Sequence, residues 1–195
     1  MWQDVLTIFI ASALINNFVF ARYLGLCIFF GVTKKMETAV GMSFTFTGVM
    51  LIGAALNWLI YTYVMIPFHL GFLKIVIFIG VVAAFVQAAD TIMKKVTPAL
   101  YYKLGIYLAL ITTNCIILAV PLLNADEYAD SLFKSMALAL GSGLGFSLAL
   151  IIMASIREKL ELADVPRSFQ GLPISFVLTG LIALAFLGFS GMITL

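Results

Sequence analysis

The sequence predicts an all-α integral membrane protein of six transmembrane helices, arranged as two inverted repeats of three helices, with the first and fourth spans broken. The composition, the spacing of the apolar segments and a short similarity between the two halves predict this class. Of the 195 residues, 64% are hydrophobic and only 10% are charged, whereas a soluble domain carries roughly 25% charged residues. Long apolar stretches separated by short polar ones are typical of a chain that crosses a bilayer several times.

Six apolar segments are each long enough to cross the bilayer. A helix that rises about 1.5 Å per residue needs roughly 20 residues to cross about 30 Å of hydrocarbon. The predicted spans are 5–30, 39–60, 75–92, 104–122, 135–156 and 174–193. The loops between them are too short to hold a soluble catalytic domain. We therefore expect a single membrane domain over 1–195, with repeat halves of about 1–95 and 96–195.

The basic residues predict the orientation of the spans. The loops after spans 1, 3 and 5 share one side of the membrane, and they carry Lys34, Lys35, Lys94, Lys95, Lys103, Arg157, Lys159 and Arg167. The opposite side carries only Lys74 and Lys134. The positive-inside rule assigns the first side to the cytoplasm and both termini to the other side. Because the basic residues mark membrane edges, the net charge of +2 predicts no nucleic acid partner.

A short similarity relates the two halves of the chain. The segment "LCIFFGV" around Cys27 aligns with "NCIILAV" around Cys115, nearly half the chain away. Because each half holds three spans, the second half enters the membrane from the opposite side, as in an inverted-topology repeat. A straight helix over 1–33 would be about 50 Å long, which is too long for one span, so a break in the backbone is expected.

The sequence offers breaks in the first and fourth spans. They are "INNF" at 15–18, "GLC" at 25–27 and "TTN" at 112–114. Irregular backbone at membrane depth is tolerated only where protein buries it or where it lines a cavity. Function is therefore expected at these breaks, where both cysteines lie.

Two interpretations of Cys27 and Cys115 are open. A cysteine in a membrane helix can be a small packing residue. Alternatively, two thiolates brought together can form half of a metal or cluster site, since an all-cysteine iron–sulfur cluster needs four thiolate ligands. The chain has two cysteines and one histidine, His69, in a predicted outer loop. It cannot complete such a site alone, but a homologous partner with its own cysteine pair could.

The polar residues near the breaks also have alternative roles. Either the backbone N–H groups freed at "GLC" and "TTN" donate hydrogen bonds to a bound group, or Asn114 and Thr112 merely satisfy loose backbone groups there. Asn16 and Asn17 are expected to line a cavity or to hold the first break together. Arg22 either balances a negative cluster or extends to the membrane interface.

Glycines are expected to allow close approach at two places. Gly25 has no side chain to block the approach of its backbone to the cysteine site. The segment "GSGLG" at 141–145 is not preceded by a strand, which argues against a dinucleotide-binding loop. Ala137, Gly141 and Gly145 instead form a row of small residues that lets two helices pack closely.

Five segments carry a family resemblance: "INNFVFARYLGLC", "GVTKKMETA", "LITTNC", "IREKLELADVP" and "LAFLGFSG". In order and spacing, and across essentially the whole chain, they closely resemble the RnfA/NqrE family of membrane subunits of the Rnf electron-transport complex and of the sodium-pumping NADH:quinone reductase. One position departs from the family pattern. Proline commonly follows the first cysteine, and this chain has Ile28, so the family's backbone shape after Cys27 is not carried over.

The resemblance implies a six-span subunit that pairs with a homologous, oppositely oriented subunit, RnfE. In that family each partner contributes two cysteines to one [2Fe–2S] cluster in the membrane, so the ligands here would be Cys27 and Cys115. The resemblance also implies electron flow between reduced ferredoxin and NAD, coupled to sodium or proton movement in a prokaryotic inner membrane. Other subunits would hold the flavins, the NAD site and the ferredoxin-type clusters, and this subunit would not itself be catalytic.

Two alternatives from other classes remain. A small secondary transporter would also show inverted repeats and broken helices, but it would need no metal. A structural anchor subunit would assemble the other subunits without carrying electrons.

Overall fold

The computed structural model describes residues 2–68, 71–96, 111, 113–163 and 165–189, and within these ranges the chain forms helices and turns without strands. The predicted all-α class is confirmed for these residues. Several predictions concern residues or side chains outside the described ones, namely those for His69, Lys94, Lys103, Thr112, Arg167, the first part of the fourth span and the end of the sixth.

Seven helices make up the described fold: α1 (Trp2–Ile10), α2 (Leu26–Val32), α3 (Met36–Ile60), α4 (Lys74–Val96), α5 (Cys115–Glu127), α6 (Leu132–Glu161) and α7 (Leu172–Leu187). Two π turns, Ala11–Ile15 and Tyr61–Met65, extend α1 and α3. Short 3-10 turns, Gly71–Leu73 and Arg167–Phe169, precede α4 and α7.

Three described segments are long and apolar enough to cross a membrane: Met36–Met65, Gly71–Ala88 and Leu132–Leu160. The shorter apolar segments are Trp2–Ile15 and Leu172–Leu187. Three of the predicted spans, 39–60, 75–92 and 135–156, lie within α3, α4 and α6. These segments identify a multi-pass membrane protein.

Helix α6 lies at the centre of the packing. In its most apolar window 67% of the residues are buried, against 17% in the window that begins α4. Helix α3 packs along α6, and α1 with its π turn packs on another face of α6. A Cβ at Gly141 would lie 2.6 Å from the carbonyl oxygen of Phe9, and one at Gly145 would lie 2.7 Å from that of Ala13. The predicted packing role of this small-residue row is therefore confirmed.

The backbone leaves helical geometry between Ile15 and Leu26. Asn17 is buried at the start of this segment, where its Nδ2 donates to the carbonyl of Gly145 at 2.8 Å and its Oδ1 accepts from the backbone N–H of Val19 at 3.0 Å. Asn17 therefore ties the non-helical segment to the central helix. Its neighbour Asn16 lines two small cavities. Both roles expected for this asparagine pair are present.

Candidate functional site

Cys27 lies where the first non-helical segment ends. It is the second residue of α2, it is exposed and its thiol is free. Gly25 precedes α2 with a φ of +75°, in the left-handed region that glycine adopts most readily. Ile28, which stands where the family commonly has proline, continues α2 and is 1% exposed. The turn at Gly25 therefore ends the irregular segment and starts the short helix that carries the cysteine.

Cys115 lies at an equivalent place in the second half. It is the first residue of α5, it is exposed and its thiol is free. Asn114 caps this helix, because its Oδ1 accepts a hydrogen bond from the backbone N–H of Ile116 at 2.8 Å. The N-terminus of this 13-residue helix carries a partial positive charge that favours a negatively charged ligand beside it.

A second non-helical segment, Thr113 and Asn114, precedes α5, and it contacts the first one at Gly25. A Cβ on Gly25 would lie 2.8 Å from Cδ1 of Ile116 and 3.3 Å from Oδ1 of Asn114. Cys115 lies between these two residues in sequence, and Cys27 follows Gly25 by two positions. The structure therefore brings the two cysteine segments together, and this close approach to Ile116 and Asn114 leaves no room for a side chain at position 25.

An apolar cavity of about 390 Å³ lies beside Cys115, between α4 and α5. Ile79 and Val82 of α4 form one side of this cavity, and Asn114 and Cys115 are among the residues on the other. Asn114 is 3% exposed, and its Nδ2 has no hydrogen-bond acceptor among the described residues. The amide oxygen thus satisfies the backbone, while the amide nitrogen is an unused buried donor beside the cysteine.

Arg157 fixes the other end of the Cys27 helix. Its Nη1 donates to the carbonyl oxygen of Phe30 and to Oγ1 of Thr33, both at 2.9 Å. The last carbonyls of a helix have no partner within the helix, so this contact satisfies one of them and places a positive charge where the helix end is negative. The prediction that Arg157 lies in a loop after a span ending at 156 is wrong. Helix α6 continues to Glu161, and the sequence carries no local signal for a partner so distant in the chain.

Arg22 lies within the first non-helical segment, three residues before Gly25. It is exposed, and its guanidinium lies 5.5 Å from the ring centre of Phe18, as in a cation–π contact. It lines two cavities of about 70 and 210 Å³, and Glu127 and Tyr128 also line the smaller one. Burial, followed by the negative charge of Glu127, raises the pKa of Tyr128 above its usual value. No described contact joins Arg22 to either cysteine.

The described residues contain no group of three or more His, Cys, Asp or Glu side chains placed to hold a metal ion. The two cysteines are therefore the candidate ligands for a metal or cluster among these residues. The site consists of two exposed thiols at neighbouring helix starts, with one buried amide donor beside them.

These features define a helical, multi-pass membrane protein in which the segments that precede its two cysteines contact each other. The chain matches the model of the Rnf-Nqr family, described as "Rnf-Nqr subunit, membrane protein", over residues 5–193. The chain therefore belongs to the Rnf-Nqr family, and the resemblance seen in the sequence is confirmed.

Three curated relatives illustrate the similarity. The chain is 55% identical over 190 residues to the subunit designated A in the proton-translocating ferredoxin:NAD(+) oxidoreductase complex of Clostridium ljungdahlii, and the match covers 97% of this chain and 98% of the relative. It is 47% identical, with the same coverage, to the subunit designated A in the ion-translocating oxidoreductase complex of an Azoarcus species. It is 44% identical to the subunit of the same name from Syntrophotalea carbinolica, over 98% of both chains.

Proposed function

We propose that this chain is the electron-carrying membrane subunit of an ion-translocating ferredoxin:NAD oxidoreductase complex in a prokaryotic inner membrane. Its relatives at 44% to 55% identity are named as subunits of such ion- or proton-translocating oxidoreductase complexes, and they match the chain over nearly its whole length. This supports a place in a multi-subunit complex of the Rnf/Nqr type. The observation that carries the electron-transfer role is the contact between the two non-helical segments, since each segment adjoins a cysteine whose thiol is free and exposed.

Cys27 and Cys115 are proposed to hold one half of a [2Fe–2S] cluster, with the other two ligands supplied by a homologous partner subunit of the RnfE type. The donor set fits such a group, because cysteine thiolates are its usual ligands. Both thiols are exposed on this chain, so a second protein can reach them. When bound, such a cluster accepts and releases one electron.

The residues of this chain hold the two thiols in place. Gly25 lets the two cysteine segments approach each other, and Asn114 sets the start of α5 at Cys115. The positive N-terminal end of α5 lies at Cys115, where it favours a negatively charged ligand. Arg157 holds α2 at the end away from Cys27. These contacts keep both sulfur ligands in fixed positions relative to a docking partner, which reduces the rearrangement needed when the partner binds.

The proposal includes six spans in two inverted halves, about 1–95 and 96–195, with the first and fourth spans broken. When Cys27 is placed on Cys115, the starts of α2 and α5 agree within one residue, as related halves should. Breaks that meet between two half-spans would lie well inside the membrane, so an electron would cross the roughly 30 Å of hydrocarbon in shorter steps. The distribution of basic residues supports placing both termini on the non-cytoplasmic side.

The first experiment measures iron content and the reduced-state EPR spectrum of the anaerobically purified pair of this chain with its partner. Wild type is compared with Cys27→Ser and Cys115→Ser. Ala119→Ser is the matched control, because it adds the same hydroxyl one turn further along α5, beside the same cavity, without removing a thiol. We expect about two irons per pair in wild type and in the control. Either cysteine substitution should abolish the spectrum while the pair still assembles.

Iron content and spectra that are unchanged by both cysteine substitutions would contradict the proposal. The cysteines would then be packing residues, and a transporter or an anchor subunit would explain the chain better. A transport assay on the same variants separates these two, because only a transporter would move its substrate without the other subunits of the complex.

A further inference from the structure

The buried amide of Asn114 is used on only one side. Its Oδ1 accepts from the backbone N–H of Ile116 at 2.8 Å, whereas its Nδ2 has no acceptor among the described residues. The residue is 3% exposed, so its amide nitrogen is shielded from bulk solvent. Buried donors without an acceptor are rare in native proteins because their desolvation is uncompensated. The amide nitrogen is therefore available to donate a hydrogen bond to a group bound at this site.

The surroundings of Asn114 restrict the nature of that group. Asn114 precedes Cys115, and both line the cavity between α4 and α5. The other described residues of this cavity are almost all aliphatic, apart from Thr113. Since none of these other cavity residues is charged, the negatively charged acceptor nearest to Asn114 in sequence is a thiolate sulfur held at the cysteine site. Hydrogen bonds to the sulfurs of an iron–sulfur centre are one of the factors that set its reduction potential.

We propose that Asn114 sets the potential of the cysteine site by donating a hydrogen bond from its Nδ2 to a thiolate sulfur held there. Its Oδ1 meanwhile fixes Cys115 at the start of α5. The inference rests on the proposed function, because it requires a redox centre at Cys27 and Cys115. A hydrogen bond to sulfur stabilises the reduced state more than the oxidised state, since the reduced state carries one more negative charge. Asn114 therefore raises the midpoint potential.

The test is an EPR-monitored redox titration of the complete complex, comparing wild type with Asn114→Ser and Asn114→Asp. Serine caps a helix about as well as asparagine, so Asn114→Ser keeps the start of α5 and removes the amide donor. Aspartate keeps the shape and the accepting oxygen, removes the donor and adds a negative charge. We expect both variants to shift the midpoint potential to more negative values, with the larger shift for aspartate.

Asn124→Ser is the matched control. Asn124 is a buried asparagine within α5, and its Nδ2 donates to the carbonyl oxygen of Ser135 at 3.5 Å. It lies nine residues after Cys115, about 14 Å along the helix, so its replacement should leave the potential unchanged. Asn114 variants that retain iron and the wild-type potential would overturn the inference while leaving the proposed function intact. A wild-type complex without an EPR signal would overturn both.

A measurement on the wild-type chain keeps the inference testable if the Asn114 variants lose iron. The chain is labelled with asparagine carrying ¹⁵N only in the side-chain amide and is reassembled with unlabelled partner. Pulsed EPR of the reduced complex should then show coupling of the unpaired electron to the ¹⁵N of a side-chain amide. Of the asparagines in the sequence, only Asn114 adjoins a cysteine. The absence of ¹⁵N coupling in a complex with a normal EPR signal would overturn the inference.

Discussion

Replacing Gly25 with alanine tests the contact between the two non-helical segments. The φ of Gly25 is +75°, and a Cβ in this region costs about 1–2 kcal/mol. The added Cβ would also lie 2.8 Å from Cδ1 of Ile116. Overpacking costs about 1–3 kcal/mol, and the lower end of this range applies because the nearest atom ends a side chain. We expect Gly25→Ala to lower the free energy of unfolding by about 2–3 kcal/mol.

A double-mutant cycle separates backbone strain from the clash. Ile116→Val removes the Cδ1 atom, and because Ile116 is fully buried this change alone should cost about 0.5–1.5 kcal/mol. In the Gly25→Ala background the same truncation also removes the atom that meets the new Cβ. The double variant should therefore be about 1 kcal/mol more stable than the sum of the single effects predicts.

The assay is unfolding in mixed micelles with a denaturing detergent, followed by tryptophan fluorescence. Two glycines give controls, because an added Cβ at either would meet no atom within 4 Å. Gly171→Ala, at a φ of +88°, reports strain alone, and Gly180→Ala, inside α7, should be neutral or stabilising by about 0.5–1 kcal/mol. If the Gly25 and Ile116 effects add within about 0.3–0.5 kcal/mol, the two segments do not touch, and the reasoning that places Cys27 near Cys115 fails.

Two further predictions concern the contacts that hold the first non-helical segment and α2. Arg157→Gln should lower the free energy of unfolding by about 1.5–3 kcal/mol, because a charge-assisted hydrogen bond to the end of α2 is lost. The control, Lys159→Gln, removes the same charge from an exposed position and should change the free energy of unfolding by less than about 0.5 kcal/mol. Equal effects of the two substitutions in the micelle assay would show that the loss of a positive charge, and not the loss of the contact with α2, lowers the stability. Asn17→Ala should cost about 1–3 kcal/mol, because the carbonyl of Gly145 loses its buried donor. Asn16→Ala should lower the free energy of unfolding much less. The rates of cysteine alkylation should rise only in the Asn17 variant. An Asn17→Ala protein with wild-type stability and wild-type alkylation rates would contradict the role of Asn17 in holding the first non-helical segment.

The long apolar helices were predictable because their signal is local. The runs that form α3, α4 and α6 exceed the thickness of a bilayer, and their composition alone separates them from loops. The boundaries were less predictable. Span 4 was expected to end at 122, whereas α5 continues through Pro121 to Glu127. Hydropathy marks the apolar thickness of the membrane, while a helix ends only where its backbone hydrogen bonds stop, so polar residues such as Asn124 can continue it.

The candidate site was predictable in its residues and not in its arrangement. The two cysteines, the glycine before the first and the asparagine before the second are visible in the sequence. The sequence left open whether freed backbone N–H groups serve a bound group or Asn114 satisfies them. The structure separates the two ends of the Asn114 amide, since the oxygen caps α5 and the nitrogen remains an unused buried donor.

The order of residues along the chain is enough to identify a helical membrane protein of the Rnf-Nqr family with two cysteines beside irregular segments. Composition, periodicity and motif order suffice for this, because they depend on neighbours in the chain. The folded arrangement was needed to establish that Gly25 contacts Ile116, that Arg157 holds α2 and that both thiols remain exposed. The contacts of Gly25 with Ile116 and of Arg157 with α2 join residues about 90 or more positions apart. No local pattern encodes which of the distant surfaces will pack together.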